Sequence, residues 1–443
     1  MILSESKKLR RALGFPLLML GTLSCCLLGF MATARCDEQA AIIDGQKSEY
    51  QTPLDSGQTP ISPMGEGGPT EYLLTPLGRD WLQEQGVDLR LLAVNDWWAN
   101  VRGGNYRGVG SMGNLNVILT VDTEKAGWWE NGSFTLYGIW IYGQRPSYAV
   151  GDFQFTSSID APDPELEPYE AFYEHTFLDG RLRWLAGIHD FTLDFAILDY
   201  GFTFINSSFY TPSTITQVPY SFYPNTSFGT RAVYEVTERT YAMLGFYDGQ
   251  PATNQDIDRM DLAVNSQDGL YSIFEYGFKG NTADGHYTKV AFGVWQCTGE
   301  FTDIAGQKEH SNFGTYLLGE RELWKEVEGT TQGLGAFFQV GQAQQDRMIN
   351  PWYFGGGVRY KGLVPDRDED VLGFGLAMAT FGATAREAYP GTESSERTFE
   401  LSYRAPINGW LTLTPDAQFV VDPSGNPDLE NDLILYVRSE INL

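Results

Sequence analysis

Residues 431–443, NDLILYVRSEINL, alternate between apolar and polar side chains. Leu433, Leu435, Val437, Ser439, Ile441 and Leu443 share one parity, while Ile434, Tyr436, Arg438, Glu440 and Asn442 share the other. A period of two gives one strand a greasy face and a polar face. On these residues alone the strand fits a soluble sandwich as well as an outer-membrane barrel, whose strands are apolar toward lipid and polar toward a wet lumen. Its place at the end of an exported chain, running out on an apolar residue, selects the barrel. The rest of the chain is read as the strands that this one closes.

Export is read from the other end. Lys7, Lys8, Arg10 and Arg11 precede an apolar run over residues 12–31, and Ala32 and Ala34 stand three and one residues before a cleavage point, so residues 1–34 read as a signal peptide. A signal anchor is the alternative, because the run is long. Without that segment 26 Lys and Arg face 56 Asp and Glu, a formal charge of −30. A chain so acidic has no basic stripe for phosphates, which excludes nucleic acid as a partner. Mean hydropathy of −0.26 is too polar for a bundle of membrane helices. Only Cys36 and Cys297 remain after cleavage, so neither a disulfide nor a metal cluster is expected.

Residues 35–75 read as a flexible polar leader and residues 76–443 as the barrel domain. The barrel opens on a short helix over 76–85, with Pro76 at its first position and Gly86 ending it. Beyond it, segments of about ten residues recur between turn signals. They are 87–98, 114–122, 132–142, 169–177, 182–189, 227–235, 241–247, 269–278, 285–296, 312–325, 332–342, 352–361, 370–380, 398–404, 409–420 and 431–442. That makes an all-β, transmembrane antiparallel barrel of about sixteen strands, an even number as closure requires. Short connections at 178–181, 237–240 and 423–428 suit periplasmic turns. Long ones at 143–168, 190–226 and 248–268 are extracellular or folded into the pore.

Charges on the face opposite the apolar one must point inward, since each would cost a few kcal/mol in hydrocarbon. They include Arg90, Arg183, Arg231, Arg359, Arg404 and Arg438, with Glu170, Glu174, Glu235, Glu400 and Glu440. Such a lumen of mixed sign either braces the wall by internal pairing or offers donors and acceptors to a polyhydroxylated solute.

Several stretches together resemble the carbohydrate-selective porins of the OprB type. These are LGRDWLQEQGVDL at 77–89, FLDGRLRWLAGIHDFTLDFA at 177–196, FINSSF at 204–209 and FGTRAVYEVTERTYAMLGFYDGQP at 228–251. GGGVRYKGLVPDRDEDVLGFGLAMA at 355–379 and FELSYRAPINGWLTLTPDAQFVVDPSGNP at 399–427 complete the set. The resemblance implies a sixteen-stranded outer-membrane barrel of a Gram-negative-type envelope that passes sugars by facilitated diffusion, with inward-folded loops narrowing the pore. It also implies homotrimers, contact with outer-membrane lipid, and recognition by the barrel assembly machinery. Two departures stand out: Leu443 replaces the usual terminal aromatic, and Gly-Arg-Asp-Trp-Leu-Gln replaces a glycine-rich Asp-Trp-Gly-Gly turn. By resemblance to the family's inward-folding loop, residues 190–209 supply the substrate contacts. Asp190, Asp194, Asn206 and Ser207 would meet sugar hydroxyls, and Trp98, Phe191 and Phe209 would stack on a ring or belong to the interfacial girdle. Trp128, Trp129 and Trp140 are assigned to the girdle or wall.

An enzyme is the rival from another class. His175, His189, His286 and His310 show no metal-ligand spacing, and His189 beside Asp190 falls on the lumen face, away from any lipid substrate. A general or cation-preferring porin is the rival within the fold, because an acidic mouth favours cations. The acidic run DRDED at 366–370 reads as solvated surface. No cofactor motif is found, so transport should be passive.

Overall fold

The computed structural model describes residues 71–73, 79–161, 166–217, 221–249, 269–327 and 329–443. The signal peptide, Cys36, almost all of the leader and the start of the expected helix lie outside these residues. So does most of the 248–268 connection.

Sixteen strands form one closed barrel, each antiparallel to its sequence neighbours. They are β1 (Val87–Arg102), β2 (Gly108–Asp122), β3 (Gly132–Gly143), β4 (Leu166–Phe177), β5 (Leu182–His189), β6 (Ser227–Thr237), β7 (Thr240–Asp248) and β8 (Leu270–Asn281). Then come β9 (Tyr287–Thr302), β10 (Lys308–Lys325), β11 (Gly333–Ala343), β12 (Trp352–Lys361), β13 (Val371–Thr380), β14 (Ser395–Asn408), β15 (Leu411–Val421) and β16 (Asp432–Asn442). The ring closes where β1 meets β16, with Leu92 opposite Asn442 and Trp98 opposite Tyr436. Closure leaves no unpaired edge.

Each segment read from the sequence corresponds to one of these strands, several of them extended beyond the predicted ends. The alternation sorts the wall as expected. On β16, Leu435 and Val437 stand exposed on the outside, while Ile434, Tyr436, Arg438 and Glu440 are buried toward the lumen. Val117, Leu136, Phe292, Leu317, Phe338, Phe374 and Leu401 continue the exposed apolar belt around the barrel. Trp128, Trp129 and Trp140 are exposed too, as expected of girdle or wall residues.

The helix before β1 is shorter than predicted. α1 spans Arg79–Glu84, with Gln85 and Gly86 turning out of it at a φ of +80° for Gly86. Asp88 docks α1 to the wall by accepting from Arg79 at 2.5 Å, Gln83 at 2.8 Å and Arg90 at 2.6 Å.

One connection sits on the wrong rim for the sequence reading. Residues 178–181 and 237–240 join even to odd strands, at the rim that holds the outer ends of β1 and β16. Residues 423–428 join β15 to β16 and therefore belong to the opposite rim, with the long loops. Their contacts agree: Ser424 Oγ donates to Gly151 O at 2.8 Å, in the loop after β3. Short length suggested a periplasmic turn, but the strand count decides the side.

Candidate functional site

The β5–β6 connection, residues 190–226, does not stay at the rim. Its first half is three 3-10 turns, Phe191–Leu193, Asp199–Thr203 and Ser207–Phe209, pressed against the inner wall. Asp190 starts the first turn by accepting from Thr192 N at 2.7 Å, and Asn206 starts the third by accepting from Ser208 N at 2.9 Å. Both are side-chain caps on backbone amides that would otherwise be orphaned.

Inward carboxylates hold this loop by its backbone. Glu170 on β4 accepts from Asp190 N at 3.0 Å, Glu275 on β8 from Ala196 N at 2.9 Å, and Glu320 on β10 from Tyr200 N at 2.8 Å. Glu400 on β14 accepts from Ile205 N at 2.5 Å and Asn206 N at 3.2 Å. Such a hydrogen bond is worth about 0.5–1.5 kcal/mol net, and a buried donor left without its acceptor costs about 1–3 kcal/mol. The wall also donates to the loop's carbonyls: Lys289 to Ile197 O at 2.7 Å, Gln339 to Phe209 O at 2.6 Å and Tyr353 to Ser208 O at 2.7 Å. In strand order these contacts carry the loop from β4 to β14, round more than half of the lumen.

Apolar seating reinforces the polar clamps. Phe191, Phe195, Phe204, Ile205, Phe209 and Ile215 are all at most 1% exposed. Phe204 packs on Phe209 and on Phe337 of β11, with ring centres 4.5 and 5.5 Å apart. Gly375 makes the seat: a Cβ there would stand 2.7 Å from the Phe209 ring. Phe191 and Phe209 thus belong to the loop's core, and Trp98 is 4% exposed with its indole N–H donating to Gln144 O at 2.9 Å.

Where the loop leaves β5, an ion cluster gathers six of the predicted residues. Arg231 on β6 binds Asp194 at 2.7 Å and Glu174 at 2.9 Å, and His189 Nε2 lies 3.3 Å from Asp194. Asp190 takes the Tyr169 hydroxyl and Tyr223 N as well, while Glu170 stands 3.8 Å from His189. Burial pushes the Asp190 carboxyl up to about 6 against these donors. Burial acts on Asp194 in the same sense, but Arg231, His189 and Arg183 more than offset it and hold that carboxyl below its ordinary value. Arg183 lies within the field of Arg231, Glu174, Asp194 and Glu235, and its Nε has no hydrogen-bond partner.

The remaining predicted residues are spread out. Arg90 is engaged with Asp88 near the rim of the termini, and Glu235 is half-buried near the same end of β6. Arg359 on β12 lays its guanidinium 3.6 Å over the Tyr200 ring. Asn206 is 0% exposed and donates to Gln154 O and Gln418 Oε1, whereas Ser207 keeps partial exposure.

The connection after β3, for which the sequence left an extracellular and a pore-folded course open, also turns inward. The stretch after β3 starts with α2 (Ser147–Val150) and then covers the wall of β14, β16 and β1. Glu396 accepts from Phe153 N at 2.6 Å and Gln154 N at 2.7 Å, and Ser157 Oγ donates to Asp96 at 2.7 Å. Asp96 in turn is paired with Arg438 at 2.7 Å. Sequence parity puts Glu396 and Asp96 on the lumen face, and that was the available signal.

The sequence profile described as "Carbohydrate-selective porin, OprB family" matches residues 107–443. The chain belongs to this family. It is accordingly a channel of the outer membrane rather than an enzyme. Porin B of Pseudomonas aeruginosa is 18% identical over 49% of this chain and 55% of its own length, so the chain spans about half of that curated relative. The high-pH structure of Pseudomonas putida OprB superposes with a TM-score of 0.77 at 17% identity, over 85% of this chain and 99% of that one. Its low-pH structure gives 0.57 at 15% identity with the same coverage. At these identities the likeness speaks for the barrel fold.

Proposed function

We propose that the barrel carries carbohydrates, mono- or small oligosaccharides, across the outer membrane by passive diffusion through a pore narrowed by the 190–226 loop. The single observation behind this reading is the clamped loop itself. Wall carboxylates on four strands fix its backbone, so the passage keeps one shape. A fixed, narrow, hydrated passage suits a neutral solute whose hydroxyls exchange water for wall groups one at a time.

On this reading the predicted residues divide by task. Glu170, Glu174, Asp190, Asp194, Asn206 and Arg231 hold the loop, because their side chains are buried and engaged with one another and with its backbone. Arg359, buried over the Tyr200 ring, holds the loop as well, and Arg183, Ser207 and Glu235, with Arg90 nearer the rim of the termini, are the groups assigned to meet a passing sugar. That rim faces the periplasm, and contacts with lipid, the assembly machinery and two further copies in a trimer belong to the same proposal.

Liposome swelling tests it. Proteoliposomes should swell faster in isosmotic glucose than in a zwitterionic solute of similar size, and Arg183→Ala should slow the glucose rate selectively. Equal rates for both solutes in the unmodified protein would favour a general porin on the same scaffold.

A further inference from the structure

The outer wall is dented where β16, β1 and β2 meet, close to the rim of the long loops. Trp97 faces out, 52% exposed, whereas Asp96 and Trp98 on either side of it are buried. In the strand register Ala99 stands between Leu435 and Val109, and Trp97 between Val437 and Ser111. Two small side chains among large apolar ones leave a hollow, an open groove of about 690 Å³ that runs from Val437 and Trp97 up to Gly143 and Gln144. Val109, Leu435 and Val437, at 78%, 41% and 42% exposure, give it an apolar rim.

Above the groove the chain turns through residues 103–107, and Arg102 and Arg107 bracket that turn, both exposed. They stand two or three residues beyond the row of Ala99 and Val109, roughly 7–10 Å at the rise of a strand. Among the described residues neither forms an ion pair, although Glu430 is exposed on the adjoining connection. Elsewhere on this rim Arg145 is bound to Asp160, Lys308 to Glu300, Arg347 to Glu309 and Arg397 to Asp422. Arg386 is unpaired too, but it stands on the connection after β13, away from the groove. In a chain of formal charge −27, two unpaired guanidinium groups at the head of an apolar groove complement an anion with a hydrophobic body. Tyr106 and Tyr148, 51% and 58% exposed at the same level, are amphipathic rings of the kind that settle among lipid headgroups.

A phosphorylated lipid matches both halves of this surface. Guanidinium groups take phosphate oxygens in bidentate pairs, and acyl chains fill an apolar hollow. With the rim of the termini on the periplasmic side, this rim lies in the outer leaflet, whose lipid is a phosphorylated, multiply acylated glycolipid of the lipid A class. We propose that Arg102 and Arg107 bind a phosphate of one such molecule and that the groove of Trp97, Val109, Leu435 and Val437 seats its acyl chains. The inference rests on that orientation of the barrel and is independent of the solute carried.

Native mass spectrometry of the full-length barrel, extracted from outer membranes in mild detergent, tests the site. One glycolipid should remain per chain, and its occupancy should fall about thirtyfold in the double variant Arg102→Ala, Arg107→Ala, the effect of removing two basic side chains from an anionic lipid. Both proteins should still migrate as folded, heat-modifiable barrels. Lipid A added to the delipidated barrel should raise the melting temperature of the unmodified protein and leave that of the double variant unchanged, while lipid A stripped of its phosphates should raise neither. Equal occupancy in the two proteins would overturn the proposal. So would retention of a zwitterionic phospholipid in place of the glycolipid, or a second copy of the chain held on this face and released by Trp97→Ala. Labelling of Asp428→Cys on intact cells by a membrane-impermeant maleimide reads the orientation separately. Labelled cells whose barrel retains no glycolipid would refute the lipid site alone; unlabelled cells would refute the orientation and the site together.

Discussion

Along β14, Phe399 and Leu401 stand exposed on the outside, while Glu396, Thr398, Glu400, Ser402 and Arg404 alternate with them and are buried toward the lumen. The two faces are specified differently. Outside, a side chain only has to be apolar, because lipid makes no directional demand. Inside, Glu400 has to meet the N–H groups of Ile205 and Asn206, and Arg404 forms a bidentate pair with Glu440. Any greasy residue serves on the first face; on the second, the partner fixes the residue type.

Mutations can break or sharpen this contrast. Glu275 accepts from Ala196 N at 2.9 Å, Tyr241 OH at 2.8 Å and Tyr316 OH at 2.7 Å, so Glu275→Ala orphans three buried donors. A cost of about 1–3 kcal/mol for each is expected, read as a fall in the urea midpoint and as larger, noisier single-channel conductance. Glu275→Gln keeps an acceptor and should lie between the two.

Arg231→Ala leaves Glu174 and Asp194 buried without their counter-charge, and about 3–5 kcal/mol of stability should be lost. Unfolding in urea measures it, with Arg231→Lys as a partial rescue. On the outer face Leu401→Arg should cost about 2–4 kcal/mol near mid-membrane, whereas Ser402→Ala, one residue along and facing inward, should leave assembly intact. Heat-modifiability on gels separates the two; equal behaviour would contradict the assignment of faces.

Asp190 gives a pH signature. Its carboxyl titrates at about 6 when folded, against about 3.9 for an unfolded aspartate. A folded value above the unfolded one means a stabilising contribution that is complete below about 4 and lost as pH rises through about 6. The unmodified protein should therefore gain melting temperature relative to Asp190→Asn as pH falls from about 7 to about 4. A constant difference across that window would show that Asp190 keeps its charge. The smallest effect belongs to Arg321, whose ion pair with Asp284 at 2.5 Å is 41% and 51% exposed. Arg321→Ala should change stability by less than about 1 kcal/mol, and less still at high salt.

The sequence made the wall legible because a strand buried on one side writes its orientation into every second residue. Parity alone placed Arg231, Glu170, Glu174 and Glu400 inside. It could not say what they touch, since Glu400 meets a backbone amide almost two hundred residues away and no local pattern encodes that pairing. The inward course of residues 190–209 was expected from family resemblance. For the loop after β3 the sequence left an outward and an inward course open, because its anchors Glu396 and Asp96 look like any other inward acid until the ring closes. The turn at 423–428 was misplaced through its length, although counting sixteen alternating strands fixes its rim.

The measurement closest to the central claim is single-channel current through the refolded protein in a planar bilayer, with glucose titrated in and glutamate as the charged control. A loop clamped into a fixed constriction predicts saturable, concentration-dependent block by glucose and indifference to glutamate, with the block weakened in Glu275→Ala. Open conductance with strong cation preference and no block by glucose at any concentration would contradict it.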